Sequence, residues 1–261
     1  MTLLKHELRQ GRSALCIWTA IIASMTALCV LIYPEIRDQM SAVSGMFSDM
    51  GVFSAAFGMD KLNFGEFLGF FGVECGNILG LGGSFFAALL GAQALAKEEK
   101  DGTAEFLLTH PISRSRILLQ KLSALFLQIA LLNLVVIGVV LLSVTAIGER
   151  PDPGTFSLLF LAYFLLQLET AAVCFGFSAF IRSGGASVGL GTAALFYFLN
   201  IVANLTKKAG FLKYVTPFGY AESADIITDR AINGRYLAVG MGLAVLGIAA
   251  AFLRYRRKDV R

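Results

Sequence analysis

Long stretches without charge decide what this chain can become. Five runs, 14–33, 75–96, 122–148, 183–206 and 236–253, contain no charged residue, and a sixth, 156–181, contains only Glu169. The runs are 18 to 27 residues long, and a helix needs about 20 residues at about 1.5 Å each to cross the hydrocarbon layer. Transmembrane β-strands are excluded, because they are about 10 residues long and alternate in polarity. With 56% hydrophobic and 15% charged residues, the chain is also too apolar for a single soluble core of its length. The reading is an all-α, polytopic membrane protein: one transmembrane domain over 1–261 with six transmembrane helices.

Orientation follows from lysine and arginine. If both termini face the cytoplasm, 14 of the 22 basic residues lie inside, and five of the other eight fall in the long connection 207–235. The first run is too long for a cleaved signal peptide and has no small-residue cleavage site before Glu35. The expected topology is therefore multi-pass, with both termini inside. The net charge of +4 comes mainly from residues at the inner helix ends, where anionic headgroups account for it, so nucleic acid is not an expected partner.

Between the runs, 1–12 places Met1, Leu4 and Leu8 opposite Lys5, Arg9 and Arg12, the pattern of an amphipathic helix at the inner interface. In the first outer connection, Ile36, Met40, Val43, Phe47 and Met50 recur with helical spacing. A Phe-rich cluster, Phe64 to Phe71, leads from there into span two. In 207–235, Ala221, Ala224, Ile227 and Ala231 can share a helical face after Pro217.

Small residues at intervals of four, Gly72/Gly76/Gly80, Gly83/Ala87/Gly91 and Gly185/Gly189/Ala193, allow close helix approach. They suit packing within one chain, a subunit interface or a sliding surface along a substrate path. Polar side chains inside spans are the other clue, because a charge at the bilayer centre costs about 3 kcal/mol on insertion scales. Glu169 lies at the middle of span four, and Asn133 of span three reaches the same depth, which predicts an Asn133–Glu169 hydrogen bond. Gln128, Asn133, Gln167, Glu169 and Asn200 are the candidates for a translocation path or for interhelical polar contacts. The four cysteines show no CxxC spacing, and Cys29 and Cys75 alone both fall near the outer surface, where a disulfide is an option.

No G-x-x-x-x-G-K-[ST] occurs, and the only histidines, His6 and His110, lie outside the apolar runs. The chain is expected to be no enzyme and to bind no cofactor or metal. Between runs two and three lies 97–121, KEEKDGTAEFLLTHPISRSRILLQK, a charged elbow joined directly to two spans. Thr103 is placed to cap a short helix presenting Phe106, Leu107 and Leu108 to a partner, with Asp101 and Glu105 near its positive end. Pro111 ends that helix and Ser113 caps the next.

The run Glu99–Lys121, E-x-x-G-T-x-E-x-L-L followed by P-I-S-R and a later lysine, resembles the inner loop of type 2 ABC transporter permeases. It is most similar to the subfamily that includes the permease of nitrous oxide reductase maturation. Phe57-Gly58-Met59-Asp60, Thr216-Pro217-Phe218 through Asp225-Ile226, and the basic tail Arg254 to Asp259 also look similar. The resemblance implies a six-helix exporter permease that pairs with a second copy or a related permease on two ABC-type ATP-binding subunits, which hold ATP and magnesium. It maps the coupling helix to Thr103, Ala104, Glu105, Phe106, Leu107, Leu108 and His110, and the connecting helix to the N-terminal segment. It also raises a re-entrant element within 207–235. Relatives export lipids, polysaccharides, drugs or peptides, and the resemblance names neither the substrate nor an extracytoplasmic partner. Two other readings remain open on the residues: an ion-coupled carrier with Glu169 as its proton site, and a non-transporting anchor or signalling subunit.

Overall fold

The computed structural model describes residues 2–49, 51–59, 61–97, 113–181 and 183–256. Among them every regular element is a helix. Six stretches are long and apolar enough to cross a bilayer: Leu3–Met40, Phe67–Gln93, Arg114–Ile147, Pro153–Ser178, Gly185–Leu205 and Gly234–Arg256.

The first helix is longer than its uncharged run. α1 (Thr2–Asp49) is continuous for 48 residues, roughly 72 Å at about 1.5 Å per residue against about 30 Å of hydrocarbon. The N-terminal amphipathic segment, the first span and the start of the outer connection are successive turns of one rod. No proline precedes Pro34 to stop it, and Pro34 itself is carried inside the helix. Gly51 then leads into the single-turn α2 (Val52–Ala56).

Span two also begins earlier than its charge-free run, at Phe67 rather than at 75. α3 (Phe67–Asn77), a π-helical segment (Ile78–Gly82) and α4 (Gly83–Gln93) follow one another without interruption. Glu74 ended the uncharged run, yet it is exposed while its neighbours Phe70, Phe71, Val73 and Cys75 are buried. A single acidic residue on the outward side does not stop a helix whose other faces are covered.

α5 (Arg114–Ile147) and α6 (Pro153–Ser178) form an antiparallel pair with a short, well-defined turn. Gly148 takes φ +76° as the left-handed C-cap of α5. Asp152 caps α6 by accepting from the Thr155 backbone N–H at 2.8 Å and the Thr155 hydroxyl at 2.7 Å. α7 (Gly185–Leu205) is the fifth span. Two 3-10 turns (Lys207–Tyr214 and Pro217–Gly219) and α8 (Ser223–Asp229) connect it to α9 (Gly234–Arg256). The helix expected through Ala231 stops at Asp229, because Arg230 turns left-handed with φ 49°.

α1 runs parallel to α5. The contacts Glu7–Lys121 and Arg37–Glu149 keep nearly the same sequence offset, 114 and 112, along both helices. The small-residue ridges are consumed inside the chain. A Cβ on Gly185 or Gly189 would meet the carbonyl oxygens of Ala92 and Ala88 on α4, and one on Gly91 would meet the Ala171 carbonyl on α6. Gly72 and Gly76 receive Ser223 of α8, and Gly76 also receives the Tyr163 hydroxyl. An aromatic group ties α1, α3 and α6 together. Phe71 lies 4.9 Å from Phe156 between ring centroids, Tyr33 packs edge-on against Phe67 at 5.4 Å, and the Tyr33 hydroxyl donates to the Gly65 carbonyl at 2.9 Å. Cys29 and Cys75 are free thiols, with Cys75 donating to the Thr26 carbonyl at 4.0 Å, and Cys16 and Cys174 are free as well.

Candidate functional site

The coupling residues expected at Thr103, Ala104, Glu105, Phe106, Leu107, Leu108 and His110 lie outside the described residues. The joint on their C-terminal side is described. Ser113 occupies the N-cap of α5 with extended dihedrals, and its carbonyl accepts from the Arg116 and Ile117 N–H groups; its side chain makes no capping bond. One residue on, the Arg114 guanidinium donates to the last carbonyls of α9, Tyr255 O at 3.3 Å and Arg256 O at 3.2 Å, where a positive charge complements the helix C-terminus. Two turns further, the Lys121 ammonium donates to Glu7 of α1 at 2.7 Å, with the lysine side chain only 2% exposed. The first turns of α5 therefore clamp the beginning of α1 and the end of α9. The N-terminal helix, the C-terminal helix and the flank of 98–112 all meet at one end of the bundle.

Deeper in the bundle the structure brings two of the five predicted polar residues together. Asn133 Nδ2 donates to Gln167 Oε1 at 2.6 Å and to the Ile129 carbonyl of its own helix at 2.9 Å. Gln167 Nε2 in turn donates to the Leu79 carbonyl at 3.3 Å. Leu79 lies in the π-helical segment of span two, and its carbonyl, which also accepts from the Gly83 backbone N–H, takes Gln167 as a second donor. Gly83 makes room for Gln167, since a Cβ there would overlap its amide. The chain α5–α6–span two is thus joined by two side-chain amides.

The expected Asn133–Glu169 bond is not formed. Gln167 and Glu169 are two residues apart on α6, roughly 200° around a helix of about 3.6 residues per turn, so only one of them faces α5. That one is Gln167. Glu169 faces the other side, where the Tyr220 hydroxyl donates to its Oε2 at 2.9 Å and Gly240 of α9 leaves the space its carboxyl fills. Glu169 is 1% exposed, and its Oε1 has no hydrogen-bond partner.

Gln128 and Asn200 sit in separate contacts. Gln128 fills the notch at Gly11 of α1 and donates back to the Ala124 carbonyl at 3.3 Å. Asn200 donates to Glu222 Oε2 at 2.8 Å, and Asn204, one turn on, donates to the same oxygen at 3.0 Å. Three polar side chains of the spans, Gln128, Gln167 and Glu169, each face a glycine on another helix.

Sequence reasoning missed the tyrosines of this region and the polar end of α8. Ser223 donates to the Gly72 carbonyl at 2.6 Å, so its contact with the Tyr163 hydroxyl at 2.7 Å has tyrosine as donor. Tyr197 donates to Asn77 Oδ1 at 3.0 Å, and Asn77 donates to the Val73 carbonyl at 2.7 Å. The Asn200/Asn204 spacing of four was a usable signal for a shared acceptor, but its owner, Glu222, is distant in sequence.

A search of curated proteins finds no relative. The family model described as ABC-2 family transporter protein matches residues 1–260. With six apolar helices of spanning length, interior polar groups paired between helices, and a family match over nearly every residue, the chain belongs to the ABC-2 family of transporter proteins.

Proposed function

We propose that this chain is the permease of an ATP-driven exporter in a bacterial or archaeal cytoplasmic membrane, with both termini in the cytoplasm. Membership of the ABC-2 family makes it a membrane component of transport that associates with ABC-type ATP-binding subunits. In the proposed assembly two permeases, identical or related, stand on two such subunits, which bind ATP and magnesium and carry out the hydrolysis. The segment Thr103–His110 docks into the ATP-binding subunit. The cargo is lipidic, drug-like or peptidic.

The observation that carries this reading is the joint at the start of α5. Arg114 and Lys121 lie in the first turns of the helix that follows the docking segment and hold α9 and α1, respectively. A push on the segment therefore moves three spans as one body, whereas a solvated loop needs no such anchorage. Span two receives the same push from the other side. Its π-helical segment offers a place to bend, with the Leu79 carbonyl held by Gln167. The polar side chains inside the spans lie in separate contacts rather than along one line, which supports a central path formed between two permeases rather than within one.

Co-purification with the ATP-binding subunit tests the reading. The Glu105→Ala/Phe106→Ala double variant is expected to lose binding and ATPase stimulation while still folding in the membrane. Unchanged binding and stimulation would remove the coupling assignment. Labelling of a His110→Cys variant by an impermeant thiol reagent added outside intact cells would reverse the orientation and the transport reading with it.

A further inference from the structure

At the end of the bundle opposite the Arg114 joint, α7, α8 and span two enclose a small cavity of about 40 Å³ beside Glu222. It is too small for a drug-sized ligand, whose pockets run from about 300 Å³ upward. Its polar chemistry is unbalanced. Glu222 Oε2 accepts from both Asn200 and Asn204, and among the described residues no lysine or arginine pairs with this carboxylate. Lys61 and Lys213, on the same end of the protein, both reach Asp225 instead, at 2.8 and 3.0 Å.

The Asn200 amide adds a second imbalance. Its orientation is fixed, because the flipped amide would aim an oxygen at the carboxylate. Its Oδ1 therefore does not receive a hydrogen bond and has no partner among the described residues, although the residue is only 6% exposed. A buried acceptor left alone is costly, because it has given up water without a replacement. Gly58, with φ +68°, keeps the other carboxylate oxygen approachable, since a Cβ there would come within 2.8 Å of Glu222 Oε1. Phe57, Tyr163, Tyr197 and Phe218 line the cavity, and aromatic faces attract positive charge.

We propose that Glu222 and Asn200 hold one compact monovalent cation, an alkali ion or the ammonium head of an amine. A water molecule satisfies the lone Asn200 oxygen but brings no charge to the half-buried Glu222 carboxylate; a cation does both. Bound there, it joins α7 to the turn leading into α8 and so stiffens this end of the bundle. The inference does not rest on the exporter reading, because it needs only the folded chain.

The test is thermal unfolding of the full chain in detergent micelles, at ionic strength held constant with N-methylglucamine chloride. Replacing that salt by sodium chloride or by methylammonium chloride is expected to raise the midpoint saturably, by roughly 2–4 °C. A sodium response identifies an inorganic ion, and a response to methylammonium alone identifies an amine head. Glu222→Gln is expected to abolish the rise, and Asp225→Asn to keep it. No rise with either cation, or an undiminished rise in Glu222→Gln, overturns the proposal. Should Glu222→Gln not fold, Asn200→Leu decides in its place, with an undiminished rise again fatal.

Discussion

Asn133 and Gln167 share a 2.6 Å hydrogen bond between the third and fourth spans, and Gln167 extends it to the Leu79 carbonyl of the second. Three helices are thereby linked at the one place where span two departs from α-helical geometry. This linkage, rather than the Tyr220–Glu169 contact, joins the most spans through polar side chains in the described bundle.

Gln167→Leu removes both bonds and leaves the Leu79 carbonyl with the Gly83 N–H alone. The expected loss of stability is about 1–3 kcal/mol, at the upper side of what interhelical bonds in membranes contribute. Asn133→Leu is expected to cost less, because it leaves the Gln167–Leu79 bond in place. Unfolding titrations of both single variants and the double variant check this. Additive effects of the two substitutions would show the pair to be energetically uncoupled.

Glycines of α7 separate packing from mere composition. A Cβ on Gly189 would lie 2.6 Å from the Ala88 carbonyl, which is backbone and cannot swing aside, whereas Gly191 has nothing within 4 Å. Gly189→Ala is expected to destabilise the chain by about 1–3 kcal/mol, and Gly191→Ala to be neutral or stabilising by up to about 1 kcal/mol. Thermal midpoints in micelles distinguish the two, and equal midpoints would contradict the α4–α7 contact.

The Glu7–Lys121 pair is asymmetric, with side-chain exposures of 18% and 2%. Glu7→Gln takes this carboxylate from the buried ammonium and is expected to cost about 1–3 kcal/mol, whereas Lys121→Met leaves a carboxylate closer to water and costs less. In the transporter, Glu7→Gln is also expected to weaken the response of transport to ATP hydrolysis, since α1 is released from the joint. Stability and ATPase-coupled transport measured on both variants check the order.

Asp225 lies outside the spans and carries a defined pH dependence. Burial by itself raises its carboxyl, but Lys61 and Lys213 more than reverse that, so its pKa is lowered from the ordinary value of 3.8. A depressed folded-state value contributes stability that is present above the unfolded pKa and lost as pH falls through the folded one. The native chain is therefore expected to lose this contribution below about pH 4, and Asp225→Asn to lack that acid-dependent component. Midpoints between pH 6 and 3 for the two chains make the comparison, and parallel curves would exclude the ion pair as a contributor.

What the sequence legislated was the medium. Uncharged runs of helix-spanning length leave no alternative to a helical membrane protein, because backbone groups in hydrocarbon must be satisfied within each segment. The family was legible too, through the inner segment and its flanks, and the match over residues 1–260 agrees with it. Only the fold decided where helices truly begin, as at Phe67, where an exposed Glu74 interrupts the uncharged run without interrupting the helix. It also chose Gln167 over Glu169 as the partner of Asn133, and brought Glu222 to Asn200 and Asn204. Equal depth follows from counting residues, but facing depends on the rotation of each helix about its axis. That rotation is set by notches such as Gly11, Gly83 and Gly240, which mean nothing until the opposing helix is in place.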